Sequence, residues 1–546
     1  MSKFLFLLFL AGFLAFPIVD IVAQTTPPKL VVGIVIDQMR YDYISRYWDK
    51  YGQDGFKKLV KEGYNCKNTN FNYMPTFTAP GHASIYTGAT PSIHGIIANN
   101  WYVLKDKRKT YCTDDSSVKT VGSSSDAGKM SPANMLSTTI TDELKISNSK
   151  SKVIGISLKD RGAILPAGHA ADAAYWYDSE IGAWISSSHY MNDLPEWVNQ
   201  FNNKKLPSQY LANVWNTMLP IEQYKESLAD DNPYEEPFKG ENKPVFPHDL
   251  PEISKIVGFD LLRKTPFGNT FTKDFVIEAI KNEKLGKGLH TDFLAISFSS
   301  PDYIGHQFGT KSIEIQDNYL RLDKDIAELL ASLDKEVGKG NYLLFLTADH
   351  GAAHNPSYLV QNKIPAGNFE SAVPLNSLRE LFNEKYGKAE WILNYYNEQF
   401  MFNRELIAEK GIDLFQMQQL AKQHLITFQG IANVYTSQEL SSTSFVHKPA
   451  SLVQNGFSQK RSGDVAIVLE PGWMEFHKKG TTHGTVYNYD THVPLIWYGW
   501  KILKGENVNP VFITDIAPTL SVILNISMPN GNVGTPIKEV LNSLKK

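Results

Sequence analysis

Four short apolar runs, each leading to a polar residue, constrain what this chain can fold into more than any other feature. Residues 29–36 (KLVVGIVI) run into Asp37, residues 153–158 (VIGISL) into Lys159, residues 293–298 (FLAISF) towards Asp302, and Tyr342–Thr347 (YLLFLT) towards Asp349. Near-continuous aliphatic runs of this length suit strands covered on both faces, as in a parallel sheet. Helix-like stretches at residues 55–62, 135–145, 274–284 and 312–333 fall between them. This alternation predicts an α/β fold, a doubly wound and mostly parallel central sheet flanked by helices. Such sheets bind ligands outside the carboxyl ends of their strands, so the recurring polar residue points to one shared site.

Two regions break the alternation. Residues 196–260 are rich in Asn, Pro, Lys and Tyr, and residues 355–475 mix helical and strand-like signals without the strand-then-acid pattern. Both read as insertions, a cap or side subdomain on a catalytic domain spanning residues 24–546. With 546 residues, 42% of them hydrophobic, the chain can bury a large core. Its net charge of -3 and the lack of a polybasic run argue against nucleic acid as a partner.

The first residues read as a leader. A short basic start at Met1-Ser2-Lys3, an apolar stretch from Phe4 to Phe16 and Ala23 before Gln24 predict a signal peptide over residues 1–23. Its apolar core is shorter than the roughly 20 residues of a spanning helix. The mature chain is therefore expected in the periplasm or secreted, without stable membrane insertion, and compatible with a monomer. In such an oxidising compartment Cys66 and Cys112 are expected to pair if the fold brings them together.

The chemistry lies at the strand ends. Asp349-His350-Gly351 follows one strand and Asp302-Tyr303-Ile304-Gly305-His306 another. Carboxylate oxygen and imidazole nitrogen are the usual thiol-free ligands of zinc, and the D-x-x-x-H spacing brings both side chains to one face if that segment is helical. Asp37 ends the first run, and His483 lies in Thr481-Thr482-His483-Gly484. Thr78, in Pro75-Thr76-Phe77-Thr78-Ala79-Pro80-Gly81-His82, sits where a helix should begin. There it is either an ordinary N-cap or a hydroxyl placed for a phosphoryl group.

In this order, Asp37, Thr78, Asp302 with His306, Asp349 with His350, and His483 resemble the bimetallic core of the alkaline phosphatase superfamily. The run from Pro75 to Trp101, with Pro91-Ser92-Ile93-His94-Gly95-Ile96 and Asn99, is similar to its branch of nucleotide pyrophosphatase/phosphodiesterases and phosphate-irrepressible alkaline phosphatases. The resemblance implies that Asp302, His306 and His483 hold one zinc ion. It implies that Asp37, Asp349 and His350 hold a second, with Thr78 joining the second. Thr78 would then attack phosphorus and form a phosphothreonine that water hydrolyses. A threonine hydroxyl is too weak an acid to do this unaided, and metal coordination is an established means of activation.

Monoesters and diesters share this core, and the groups around the phosphoryl oxygens separate them. Lys159 and Arg161 resemble the cationic pair of the phosphate-irrepressible phosphatases, with Asn99 as a third phosphoryl contact. The expected substrates are small phosphate monoesters, with zinc as the metal and no magnesium. A phosphodiesterase or nucleotide pyrophosphatase is the alternative on the same scaffold, and an inactive phosphate-binding protein a further one. Thr78 disfavours a sulfatase, which needs cysteine or serine at that place. His82 and His94 are expected to orient loops, and His354 and His492 to lie near the ligand segments.

Overall fold

The computed structural model describes residues 26–545, and the leader expected over residues 1–23 falls outside them. Strand Leu30–Ile36 is buried along its whole length and lies inside a ten-stranded sheet. Tyr342–Thr347 pairs with it in parallel on one side and Asp292–Phe298 on the other. Val153–Ser157 and Ala173–Asp178 continue the parallel run. Antiparallel strands extend both flanks, Leu495–Gly499 beside Tyr342–Thr347 and Ala183–Ser187 beside Ala173–Asp178. The sheet is thus parallel at its centre and mixed as a whole.

Register brings the strand ends level. Ile36 lies opposite Phe298, Val35 opposite Thr347, and Ser297 opposite Ser157. The residues that follow these four adjacent strands therefore emerge along one edge. Helices cover both faces: Thr78–Thr87, Asp160–Ala167 and Ile516–Leu524 form one layer, and Phe56–Glu62, Phe267–Asn282 and Ile313–Leu333 another. Each aliphatic side chain enclosed between the layers is worth about 1.5–3 kcal/mol relative to exposure.

Residues 196–260 are short helices and turns whose Trp215, Tyr224, Phe238 and Leu250 join the main hydrophobic core. Later residues build a core of their own. Ile392–Tyr396, Gln399–Phe402, Val465–Leu469 and Ile431–Thr436 form a four-stranded antiparallel sheet. Phe382, Phe402, Met417 and Ile467 pack within that second core.

Two expectations change. The helix expected from residue 135 begins at Ile140, because Thr139 and Asp142 form a reciprocal capping box that fixes the start. Cys66 and Cys112 are free and buried in different hydrophobic clusters, so the expected disulfide is not made. Burial pushes the Cys66 thiol up to about 12, which leaves it an inert apolar side chain.

Candidate metal centre and nucleophile

Three helices begin at the level edge of the sheet: Thr78–Thr87, Asp160–Ala167 and Ser300–Phe308. Their N-terminal N–H groups and dipoles favour negative charge in the space they share. Thr78 is the first residue of its helix, and Phe77 occupies the N-cap position with no side-chain cap bond. The hydroxyl is thus not used for capping. Thr78 Oγ lies 3.5 Å from His350 Nε2, and the residue is 1% exposed. Gly81 allows this approach, since a Cβ there would stand 2.3 Å from the Asp349 carbonyl oxygen.

Asp302 and His306 share a face of Ser300–Phe308, with His306 Nε2 3.1 Å from Asp302 Oδ1. His483 Nε2 lies 3.5 Å from the same oxygen. Ligand atoms of Asp302, His306 and His483 all fall within 4.8 Å of one another, as do those of Asp37, Asp302 and His350. Asp302 therefore lies within reach of both groups. Asp349 adjoins the second, its Oδ2 3.7 Å from His350 Nε2.

The imidazoles are oriented by main-chain carbonyls. His306 Nδ1 donates to Thr481 O at 2.7 Å, His483 Nδ1 to Thr76 O at 2.7 Å, and His350 Nδ1 to Gly351 O at 2.9 Å. Each Nε2 is left as the free electron pair, the arrangement typical of metal-ligating histidines. His350 and His483 stack at 3.5 Å between centroids, and burial holds both below the ordinary imidazole value, in the neutral form a ligand needs. His306 is raised instead, because Asp302 outweighs the effect of its burial.

Burial pushes the Asp37 and Asp349 carboxyls up, and neighbouring carboxylates add to this. Against its own burial, Asp302 is held well below the usual range by His306 and Lys159. Asp37 Oδ1 and Asp349 Oδ2 are buried without a hydrogen-bond partner. Buried, unpartnered carboxylate oxygens facing three oriented imidazole nitrogens are a donor set that suits zinc.

Lys159 Nζ lies 2.6 Å from Asp37 Oδ2 and 2.5 Å from Asp302 Oδ2, with the Tyr303 ring 4.8 Å away. Against burial, those two carboxylates hold the ammonium above its ordinary value. Arg161 Nη1 donates to Tyr111 Oη at 2.9 Å, and Tyr111 Oη donates to Asp160 Oδ1 at 2.8 Å. Asn99 Oδ1 accepts the Ala79 N–H at 2.9 Å, so its amide nitrogen remains a donor beside Thr78.

Gln38 has no signal in the sequence, yet it joins two of the acids. Its N–H donates to Asp349 Oδ1 at 3.2 Å and its Nε2 to Asp302 Oδ1 at 2.8 Å, from a left-handed backbone at φ 60°. Tyr111 and Tyr303 were equally silent, since nothing local to either residue marks its partners. His82 bonds Thr78 O and Ser297 Oγ beneath the helix Thr78–Thr87, and His94 bonds Ser84 Oγ. His354 bonds Thr310, and His492 stacks on Tyr41.

The chain belongs to the family described as type I phosphodiesterase / nucleotide pyrophosphatase, whose model matches residues 31–494. Several of the relatives it resembles carry alkaline phosphatase names. The alkaline phosphatase PhoV of Synechococcus elongatus is 47% identical over 94% of this chain and 93% of its own length. A protein of Myroides odoratus named a calcium-transporting ATPase is 48% identical over 94% of this chain and 95% of its own. The crystal structure of alkaline phosphatase PafA matches with a TM-score of 0.91 at 44% identity, covering 94% of this chain and 99% of that one.

Proposed function

We propose that this chain is an exported alkaline phosphatase that hydrolyses phosphate monoesters in two displacements at Thr78. One observation carries the reading: a buried hydroxyl at a helix N-terminus, free of capping duty, stands 3.5 Å from an imidazole of a cluster of three aspartates and three histidines. Asp302, His306 and His483 would hold one zinc ion; Asp37, Asp349, His350 and Thr78 would hold the other. When bound, the two ions supply Lewis-acid stabilisation of negative charge on the entering and departing oxygens.

Thr78 Oγ attacks phosphorus as its proton passes to solvent, an Oγ–P bond forms, the bond from phosphorus to the alcohol oxygen breaks, and the departing oxygen takes a proton from solvent to leave as the alcohol. Water then attacks the phosphothreonine with loss of a proton, the Oγ–P bond breaks, Thr78 Oγ takes up a proton, and phosphate leaves. Asn99, its amide oriented by Ala79, donates to a phosphoryl oxygen. Lys159 and Arg161 supply positive charge at the same edge. A monoester dianion places more charge on its non-bridging oxygens than a diester does, so a cationic pair favours the monoester. The terminal phosphate of ATP has the same three oxygens, so the ATPase name of the Myroides relative is compatible with this site. Export is supported by the leader-like residues 1–23, and among the described residues no helix is long and apolar enough to cross a membrane.

The test compares an aryl phosphate monoester with the corresponding bis-aryl diester. Monoester turnover is expected to dominate, and Thr78→Ala should lower it by about a thousandfold or more. Equal turnover of both esters would move the assignment to a diesterase, and a Thr78→Ala enzyme with near-normal activity would remove threonine as the nucleophile.

A further inference from the structure

The second core sends a hairpin towards the site. Between Ile392–Tyr396 and Gln399–Phe402, the turn residues Asn397 and Glu398 have φ of 52° and 54°. Left-handed backbone at consecutive non-glycine residues costs of order 1 kcal/mol each, and glutamate is not a residue such turns favour. The turn is anchored beside Asn99, where Asn397 Nδ2 donates to Asn100 O at 2.8 Å.

Glu398 thereby lines a cavity of about 70 Å³ together with Glu475, Phe77, Met474, Leu469 and His483. Phe77 directly precedes Thr78 and stands edge to face with His483, ring centroids 5.6 Å apart. The cavity thus starts at the group formed by Asp302, His306 and His483, opposite the group that Thr78 joins, and an in-line displacement by Thr78 expels the alcohol on that side. Glu398 Oε2 is buried without a hydrogen-bond partner, and Tyr395 Oη donates to Glu475 Oε2 at 2.8 Å. Burial and then the Glu475 and Asp490 carboxylates push the Glu398 acid up to about 8. The charged groups acting on it are all of its own sign. Two acids in want of a counter-charge, with an aromatic ring, a thioether and an aliphatic wall, are the surroundings that hold an organic ammonium.

We propose that this cavity is the leaving-group subsite and that it selects phosphate monoesters whose alcohol carries an alkylammonium group. Glu398 and Glu475 supply the counter-charge, and Phe77 supplies the aromatic wall. The inference rests on the reading of the chain as a phosphomonoesterase.

The experiment compares kcat/KM for 2-aminoethyl phosphate and ethyl phosphate, with an aryl phosphate measured in parallel. The wild-type enzyme is expected to favour the ammonium ester, and Glu398→Gln and Glu475→Gln each to reduce that ratio by about tenfold. A wild-type ratio near one, or a ratio that neither substitution moves, overturns the subsite. A second measurement does not depend on the variants folding: free 2-aminoethanol should inhibit wild-type aryl phosphate turnover competitively and far more strongly than ethanol. Equal inhibition by the two alcohols also overturns it. Failure to hydrolyse the aryl phosphate would instead remove the phosphomonoesterase reading itself.

Discussion

Lys159 touches two acids that the proposed metal sites require, so under the proposed function its charge would serve the protein as well as the substrate. Lys159→Ala with Arg161→Ala should lower monoester kcat/KM by roughly a hundredfold or more, as removal of preorganised donors does elsewhere. Diester kcat/KM should fall much less. Steady-state kinetics on matched aryl esters checks this, and an equal loss for both classes would deny the pair its role in selecting the dianion. The identities of Asp37, Asp302 and Asp349 were legible because each follows an apolar run. Gln38 was not, because a glutamine after a strand is commonplace and its value lies in contacts 264 and 311 positions away.

At the scale of elements, the D-x-x-x-H segment was readable because helical periodicity alone puts Asp302 and His306 on one face. Residues 196–260 were not. Besides their apolar contacts, they are tied to the main body through His248, whose Nδ1 bonds Glu241 at 2.9 Å and whose Nε2 bonds Glu314 at 3.2 Å. Burial opposes the charge, but hydrogen bonds to Glu241 and Glu314 push His248 up to about 9. A pKa raised on folding means that the folded chain binds the proton more tightly than the unfolded one. The resulting stability is fully present below about pH 6.5, the unfolded value, and is lost as pH rises towards 9. The stability difference between wild type and His248→Gln should therefore shrink by up to about 3 kcal/mol over that window. Urea unfolding at several pH values measures it, and a difference that stays constant with pH would mean that His248 is neutral in the folded chain.

For the whole molecule, the proposed zinc ions are expected to be structural as well as catalytic. An ion present at a thousandfold its dissociation constant adds about 4 kcal/mol to the folded state. Chelation should then abolish turnover and lower the calorimetric unfolding midpoint, and added zinc should restore both. Elemental analysis of the untreated protein should find about two zinc ions per chain. A midpoint indifferent to chelation would contradict ligation by these buried acids.

The sequence by itself determined the layered α/β class, the strand ends that bear the acids, and the ordered set that resembles a phosphatase core. Each of these signals is local: an apolar run, a helical spacing or a residue at the close of a strand. Only the tertiary structure decided that Asp302 lies within reach of both ligand groups, that Thr78 is released from capping, and that Cys66 and Cys112 stay apart. It also decided that a hairpin from a second core delivers Glu398 to the cavity beside His483. These facts depend on strand register and on packing between segments hundreds of residues apart, and no local pattern carries that information.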